Sequence, residues 1–91
     1  MIIQKKFIVS EEKFERELFG DFDENIKLIE STLSIDVILR EGNIVLMGEE
    51  KNVDLALKLM NELHDTVSNG KSLDKQSITY SLSLLLEGSE M

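Results

Sequence analysis

The sequence contains no cysteine, which excludes disulfides and thiolate metal sites and makes a reducing, cytoplasmic interior the natural home. It has one histidine, His64, so neither a histidine pair for a metal nor a second histidine for a nucleophile–base relay is available. No apolar run approaches the ~18 residues of a membrane span. The opening MIIQKKFIVSEEKF lacks a long apolar stretch ahead of a small-residue cleavage site, so no signal peptide is expected. Low-complexity linkers, internal repeats and heptad runs are missing too. Basic residues are scarce: ten Lys and Arg stand against eighteen Asp and Glu, for a net charge of −8. That balance opposes non-specific attraction to nucleic acid or anionic lipid. Any nucleic-acid role must be local or assisted.

What remains is 91 residues, 42% of them hydrophobic, enough for one small soluble domain. A chain this short buries about two-thirds of its unfolded surface, so a few helices on a small sheet is the realistic size. Ile3 to Val9 reads as a strand. Ser10 is placed as an N-cap, with Glu11 and Glu12 favourable to a helix dipole, and a short helix runs to about Leu18 with Phe14 and Leu18 inward. Gly20 stops it. The next helix begins near Asp23 or Glu24, its core stripe being Ile26, Ile29 and Leu33. Ile35 to Leu39 and Ile44 to Met47 read as a hairpin around Arg40-Glu-Gly-Asn43, with Gly42 at the positive-φ position and Gly48 ending the second strand. The longest helix opens at Glu49 or Glu50 and closes at Gly70. Val53, Ala56, Leu57, Met60, Leu63, His64 and Val67 share one face, with Leu55 and Leu59 outside it. A last helix, capped by Ser72 or Asp74, spans about 74 to 86, with Ile78, Leu82 and Leu85 in one stripe and Leu84 and Leu86 apolar beside it. The order is βααββα plus one helix, an α+β sandwich of a three-stranded antiparallel sheet with helices on one face.

That order resembles the type I KH arrangement. The local text is similar as well: Gly20-Asp21-Phe22-Asp23 occupies the place of a KH GxxG turn, Glu24-Asn25-Ile26-Lys27 follows as the helix start, and Gly48 to Val53 mirrors the strand-to-helix junction. The run from Leu18 to Glu30, LFGDFDENIKLIE, together with Gly48 to Val53 and the helix after Gly70, resembles the N-terminal region of PhoH-like proteins of the phosphate-starvation-inducible type. The resemblance covers nearly the whole chain. It implies a bacterial, cytoplasmic protein in which this region precedes a P-loop ATPase domain. The chain has no GxxxxGK[ST] motif. The resemblance therefore implies a KH-like unit over 1–70 and a helix and tail over 71–91 leading to an ATPase domain that is absent here. ATP and magnesium would belong to that domain; for this chain itself no enzyme activity, cofactor or metal is expected.

The turn reads two ways. In a KH domain the two glycines let backbone amides approach phosphates at a helix N-terminus. Here Asp23 replaces the second glycine and would accept those amides as an N-cap. Asp21 and Glu24 add charge, and a like-charge pair at 4 Å costs ~1 kcal/mol in water and ~4 kcal/mol at an effective dielectric of 20. Lys27 offsets part of it. A capped helix junction, with Phe22 as plug or contact, is therefore favoured over direct RNA contact by Gly20, Asp21, Phe22, Asp23, Asn25 and Lys27.

Lys5, Lys6, Lys13 and Arg16 make one basic cluster, read as a solubility feature. His64 reads as a packed or half-exposed helix residue rather than a base or ligand. The stronger evidence for contact is Leu55 and Leu59 with Leu84 and Leu86: either the last helix packs on the long one, or both face another chain. The expected role is an accessory module for RNA-linked recognition or for positioning an ATPase domain, with that domain or other subunits as partners. The alternative is a protein–protein or oligomerisation module of KH shape without nucleic-acid binding. RNA binding by the isolated acidic chain is disfavoured, and no membrane partner is expected.

Overall fold

The computed structural model describes residues 1–9, 12–19 and 24–89, with backbone alone at 88 and 89. Its elements are β1 (Ile2–Phe7), α1 (Glu12–Phe19), α2 (Glu24–Leu33), β2 (Asp36–Arg40), β3 (Asn43–Glu49), α3 (Glu50–Ser68) and α4 (Lys75–Ser89). The three strands form one antiparallel sheet in the order β1-β3-β2. This βααββαα succession is the expected α+β class and is consistent with a KH-like fold.

The β2–β3 hairpin closes on two residues, because Arg40 pairs with Asn43. Both loop residues take positive φ, Glu41 at 52° and Gly42 at 79°, the combination a type I′ turn needs to match the twist of its strands. At the other end of the hairpin, Gly48 does not end β3. It pairs with Ile3 of β1, and a Cβ built on it would lie 2.9 Å from Ile35 Cγ2. Its role is to let the chain leaving α2 pass against the sheet. β1 is shorter than expected at its far end, because its last partner is Ile44 and the hairpin turn follows soon after. Ile8 is consequently exposed.

Side chains alternate across the sheet. Ile3 and Phe7 of β1, Ile44 and Leu46 of β3, and Val37 of β2 point into the helices and join the core. On the same side Lys5 Nζ reaches Asp54 of α3 at 2.9 Å. The opposite face carries Ile2, Gln4, Lys6, Asp36, Ile38, Arg40, Val45 and Met47; Ile2 is 63% and Ile38 39% exposed there, Met47 is half-buried and Val45 is buried at 4%. Among the described residues no helix is long and apolar enough to cross a membrane.

α3 spans the helical layer. It ends in a Schellman motif: Gly70, at φ 84°, donates to the Val67 carbonyl, and Lys71 donates to that of Thr66. Phe7 and Phe14 meet His64 edge-on at centroid distances of 6.2 and 5.2 Å, and His64 sits half-buried at the edge of the apolar face. Leu59 lies off that face in sequence yet is fully buried, in the core to which α3 and α4 both contribute. Asp74 caps α4, its Oδ1 accepting from the Ser77 amide at 2.7 Å. That bond, joined by other local amides, lowers the Asp74 pKa below its ordinary 3.8. α4 contributes Ile78 and Leu82 to the same core as the rest, and Leu73 ahead of it is buried there too. Residues 71–87 thus share one hydrophobic core with residues 1–70.

Candidate functional site

α1 forms because Phe14 and Leu18, four residues apart, bury one face while Glu12, Lys13 and Arg16 stay in water. Its last turn leads into residues 20–23. Gly20, Asp21, Phe22 and Asp23 of the candidate turn, like the Ser10 cap, lie outside the described residues. The two other members of that set are described. Asn25 is 8% exposed, and its Nδ2 donates to the Glu17 carbonyl at 3.2 Å. It thereby satisfies one of the orphan acceptors at the end of α1. Lys27 points to solvent.

Two concavities flank this junction. One, of about 270 Å³, lies between α1 and the end of β2, lined by Glu12, Glu15, Arg16, Phe19 and Leu39. The second, of about 450 Å³, is polar and bounded by Arg16, Glu17, Glu24, Asn25, Leu73, Asp74 and Lys75. Arg16 is common to both. The second is held together by Glu17, whose Oε1 accepts the Leu73 amide at 3.0 Å. One residue therefore ties α1 to the start of α2 through its carbonyl and to the segment before α4 through its carboxylate. Glu17, Leu73, Phe19 and Leu39 were not singled out from the sequence. No periodicity links Glu17 to Leu73, which are 56 residues apart.

The electrostatics of the junction are acidic. Five carboxylates (Glu12, Glu15, Glu17, Glu24 and Asp74) and two cations (Arg16 and Lys75) line the concavities. The basic cluster of the sequence does not assemble in space. Lys5 and Lys6 project to opposite faces of the sheet, Lys5 toward Asp54, and Arg16 stands among glutamates. Hydrogen bonding and the charge of Asp54 raise the Lys5 pKa above its ordinary 10.5. Among the described residues no three His, Asp or Glu side chains converge as a metal ligand set.

The leucines separate into two kinds. Leu59 is spent inside the fold, and Leu55 and Leu86 pack partly against the core. Leu84 remains 49% exposed, one helical turn from Tyr80 at 66%. Of Leu55, Leu59, Leu84 and Leu86, only Leu84 offers a largely open surface, and Tyr80 is the neighbour that sequence reasoning passed over.

The chain is similar to PhoH-like proteins of Mycobacterium bovis and Mycobacterium tuberculosis, 36% identical over 69 residues. It is also similar to a PhoH-like protein of Mycobacterium leprae, 30% identical over 69 residues. Each match covers 76% of this chain and 20% of the relative. The chain is therefore related to PhoH-like proteins and corresponds to about one-fifth of their length. No family model and no solved structure matches it.

Proposed function

We propose that this chain, as the counterpart of one part of a PhoH-like protein, is an accessory module that positions an ATPase domain through protein contact. It contributes no catalytic group of its own. The observation that carries this reading is the acidic rim of the α1–β2 concavity. Glu12, Glu15 and Arg16 line it together with the apolar Phe19 and Leu39. Phosphates are repelled by such a rim, whereas a polypeptide segment with apolar and basic side chains is accommodated by it. The carboxylates that take up the amides of the α4 start and of Leu73 act in the same direction.

The test is made on a PhoH-like protein carrying this module. ATP hydrolysis and assembly state are compared for the intact protein, a deletion of the module, and a Leu39→Glu variant. Loss of coupling on deletion and on Leu39→Glu supports the reading; unchanged hydrolysis and assembly on deletion refutes it. RNA-linked recognition is the second reading, favoured by the KH-like element order. A salt series of RNA binding with and without the module decides it: equal affinity sinks it, and a steeper salt slope with the module supports it.

A further inference from the structure

The sheet edge beside the α1–β2 concavity has backbone groups to spare. Arg40 and Asn43 flank the two-residue turn, so they exchange both of their backbone hydrogen bonds. Two and four residues back, Ile38 and Asp36 also bond to β3, while the N–H and C=O of Leu39 and Val37 point away from it. The Val37 amide accordingly meets the Glu30 carboxylate at 2.8 Å. Leu39 has no such cap: among the described residues nothing pairs with its amide or its carbonyl. The other edge strand, β1, carries Lys5 and Lys6, charges of the kind that protect an open edge.

The side chains of β2 lead to the same place. Ile38 and Leu39 are 39% and 41% exposed, although they are consecutive and lie on opposite faces of the sheet. A partner laid on either face covers one of them; a strand beside β2 covers both. There is room for it, since no α-carbon of α1 comes within 8 Å of one in β2, and neighbouring strands need about 4.8 Å. Glu12, Glu15, Arg16 and Phe19 of α1 line this gap, spaced i, i+3, i+4 and i+7 as one helical stripe.

We infer that β2 takes up an extended peptide from a partner protein as a fourth strand, paired through the Leu39 amide and carbonyl. This rests on the protein-contact reading of the concavity and adds its mode and its specificity. The peptide residue opposite Leu39 exchanges both backbone bonds with it and turns its side chain to the helical side, as Leu39 does. There it meets Leu39 and Phe19, so it is apolar. Two residues away on the same side, a Lys or Arg meets the carboxylates of Glu12 and Glu15, which outnumber Arg16. The Glu30–Val37 bond limits the pairing at one end and the hairpin turn limits it at the other, so the added strand is short. Single-stranded nucleic acid would bring phosphates to the same two carboxylates.

The experiment is a titration of the isotope-labelled 91-residue chain with the capped hexapeptide acetyl-Thr-Leu-Val-Lys-Val-Thr-amide, followed by amide chemical shifts. Shifts are expected at Leu39 and along α1, with the Leu39 amide moving downfield and exchanging more slowly with solvent. Methylating the nitrogen of the peptide leucine removes the donor to the Leu39 carbonyl and is expected to weaken binding about tenfold. Exchanging the peptide lysine for glutamate is expected to weaken it too, and Glu15→Lys in the chain, its folding verified by the same spectra, to reverse that preference. Absence of a shift at Leu39 with peptide in the millimolar range overturns the proposal, as does equal affinity of the methylated peptide or a set of shifts confined to β1. Hexauridylate that displaces the peptide from the Leu39 amide assigns the groove to RNA and overturns it as well. If the peptide fails while deletion of the module still uncouples hydrolysis, strand addition falls and the protein-contact reading stands; unchanged hydrolysis and assembly on deletion remove that reading whatever the peptide does.

Discussion

Replacing Gly48 with alanine tests whether the path of the chain between α2 and β2 is fixed by the sheet. The added Cβ would lie 2.9 Å from Ile35 Cγ2 and 3.4 Å from both Ile35 Cα and Cβ, against an ordinary carbon–carbon separation of roughly 3.5–4.0 Å. Ile35 cannot retreat freely. Its amide donates to the Glu30 carbonyl at 3.2 Å, and Ser34 before it holds φ 54°. Removing a strand glycine restricts the unfolded chain and alone would stabilise by about 0.5–1 kcal/mol. Overpacking a closed site costs about 1–3 kcal/mol. The clash wins, leaving Gly48→Ala less stable by about 1–2 kcal/mol. For a domain of this size that lowers Tm by roughly 4–15 °C. Urea unfolding followed by circular dichroism measures it directly. Ile35→Ala supplies the second arm: it should cost less in the Gly48→Ala background than in the wild type, with a coupling of about 0.5–3 kcal/mol. A Gly48→Ala protein as stable as the wild type, or more so, would show that Ile35 yields and that the close approach constrains nothing.

Three further outcomes are expected. Ser34 occupies the left-handed position after α2, so Ser34→Gly should stabilise by up to ~1 kcal/mol, read as a higher urea midpoint; a lower midpoint refutes the strain. Glu30 Oε2 accepts the Val37 amide at 2.8 Å on the outer edge of β2. Glu30→Ala should therefore cost about 1–3 kcal/mol through the unpaired amide, while Glu30→Gln should retain most of the stability; equal losses in both would refute the hydrogen bond's role. The lowered pKa of Asp74 means that its cap stabilises fully above pH 3.8, and that this is lost as the pH falls toward the folded value. The gap in melting temperature between wild type and Asp74→Asn should thus be present at neutral pH and close in acid; a gap independent of pH would contradict the linkage.

Local rules carried most of the fold. The spacing of Ile26, Ile29 and Leu33 marked α2, Arg40-Glu-Gly-Asn43 marked the two-residue hairpin, and Gly70 marked the end of α3. Each depends on neighbours within a few residues, where periodicity and turn chemistry are decisive. The features misjudged or left open depend on partners far away in the chain. Gly48 looked like a strand terminus because its use, a gap for Ile35, exists only once β2 lies beside β3. For Leu59 the sequence left two covers open, the last helix or another chain, and only the fold, in which it is fully buried, decides between them. Lys5, Lys6, Lys13 and Arg16 read as one cluster along the chain, although neighbours in a strand such as Lys5 and Lys6 face opposite ways. At the candidate site, Asn25 was legible as a residue of interest, but its bond to the Glu17 carbonyl was not. The Glu17 carboxylate bridge to Leu73 left no trace in local sequence, because a single long-range hydrogen bond imposes no period.

The sheet order has a consequence for how the molecule comes together. β2 and β3 meet across a two-residue turn and can zip as soon as both exist. β1, first in the chain, must wait for residues as distant as Glu49, the partner of Ile2. Its loop-closure entropy is therefore the larger of the two, and the hairpin with α3 is the natural nucleus onto which β1 is added. Until then, one side of β3 is an unpaired edge. In the time between synthesis of β3 and arrival of β1, that edge is the part of the chain most open to pairing with a neighbour, and the lysines of β1 are well placed to discourage that strand from pairing with its own kind.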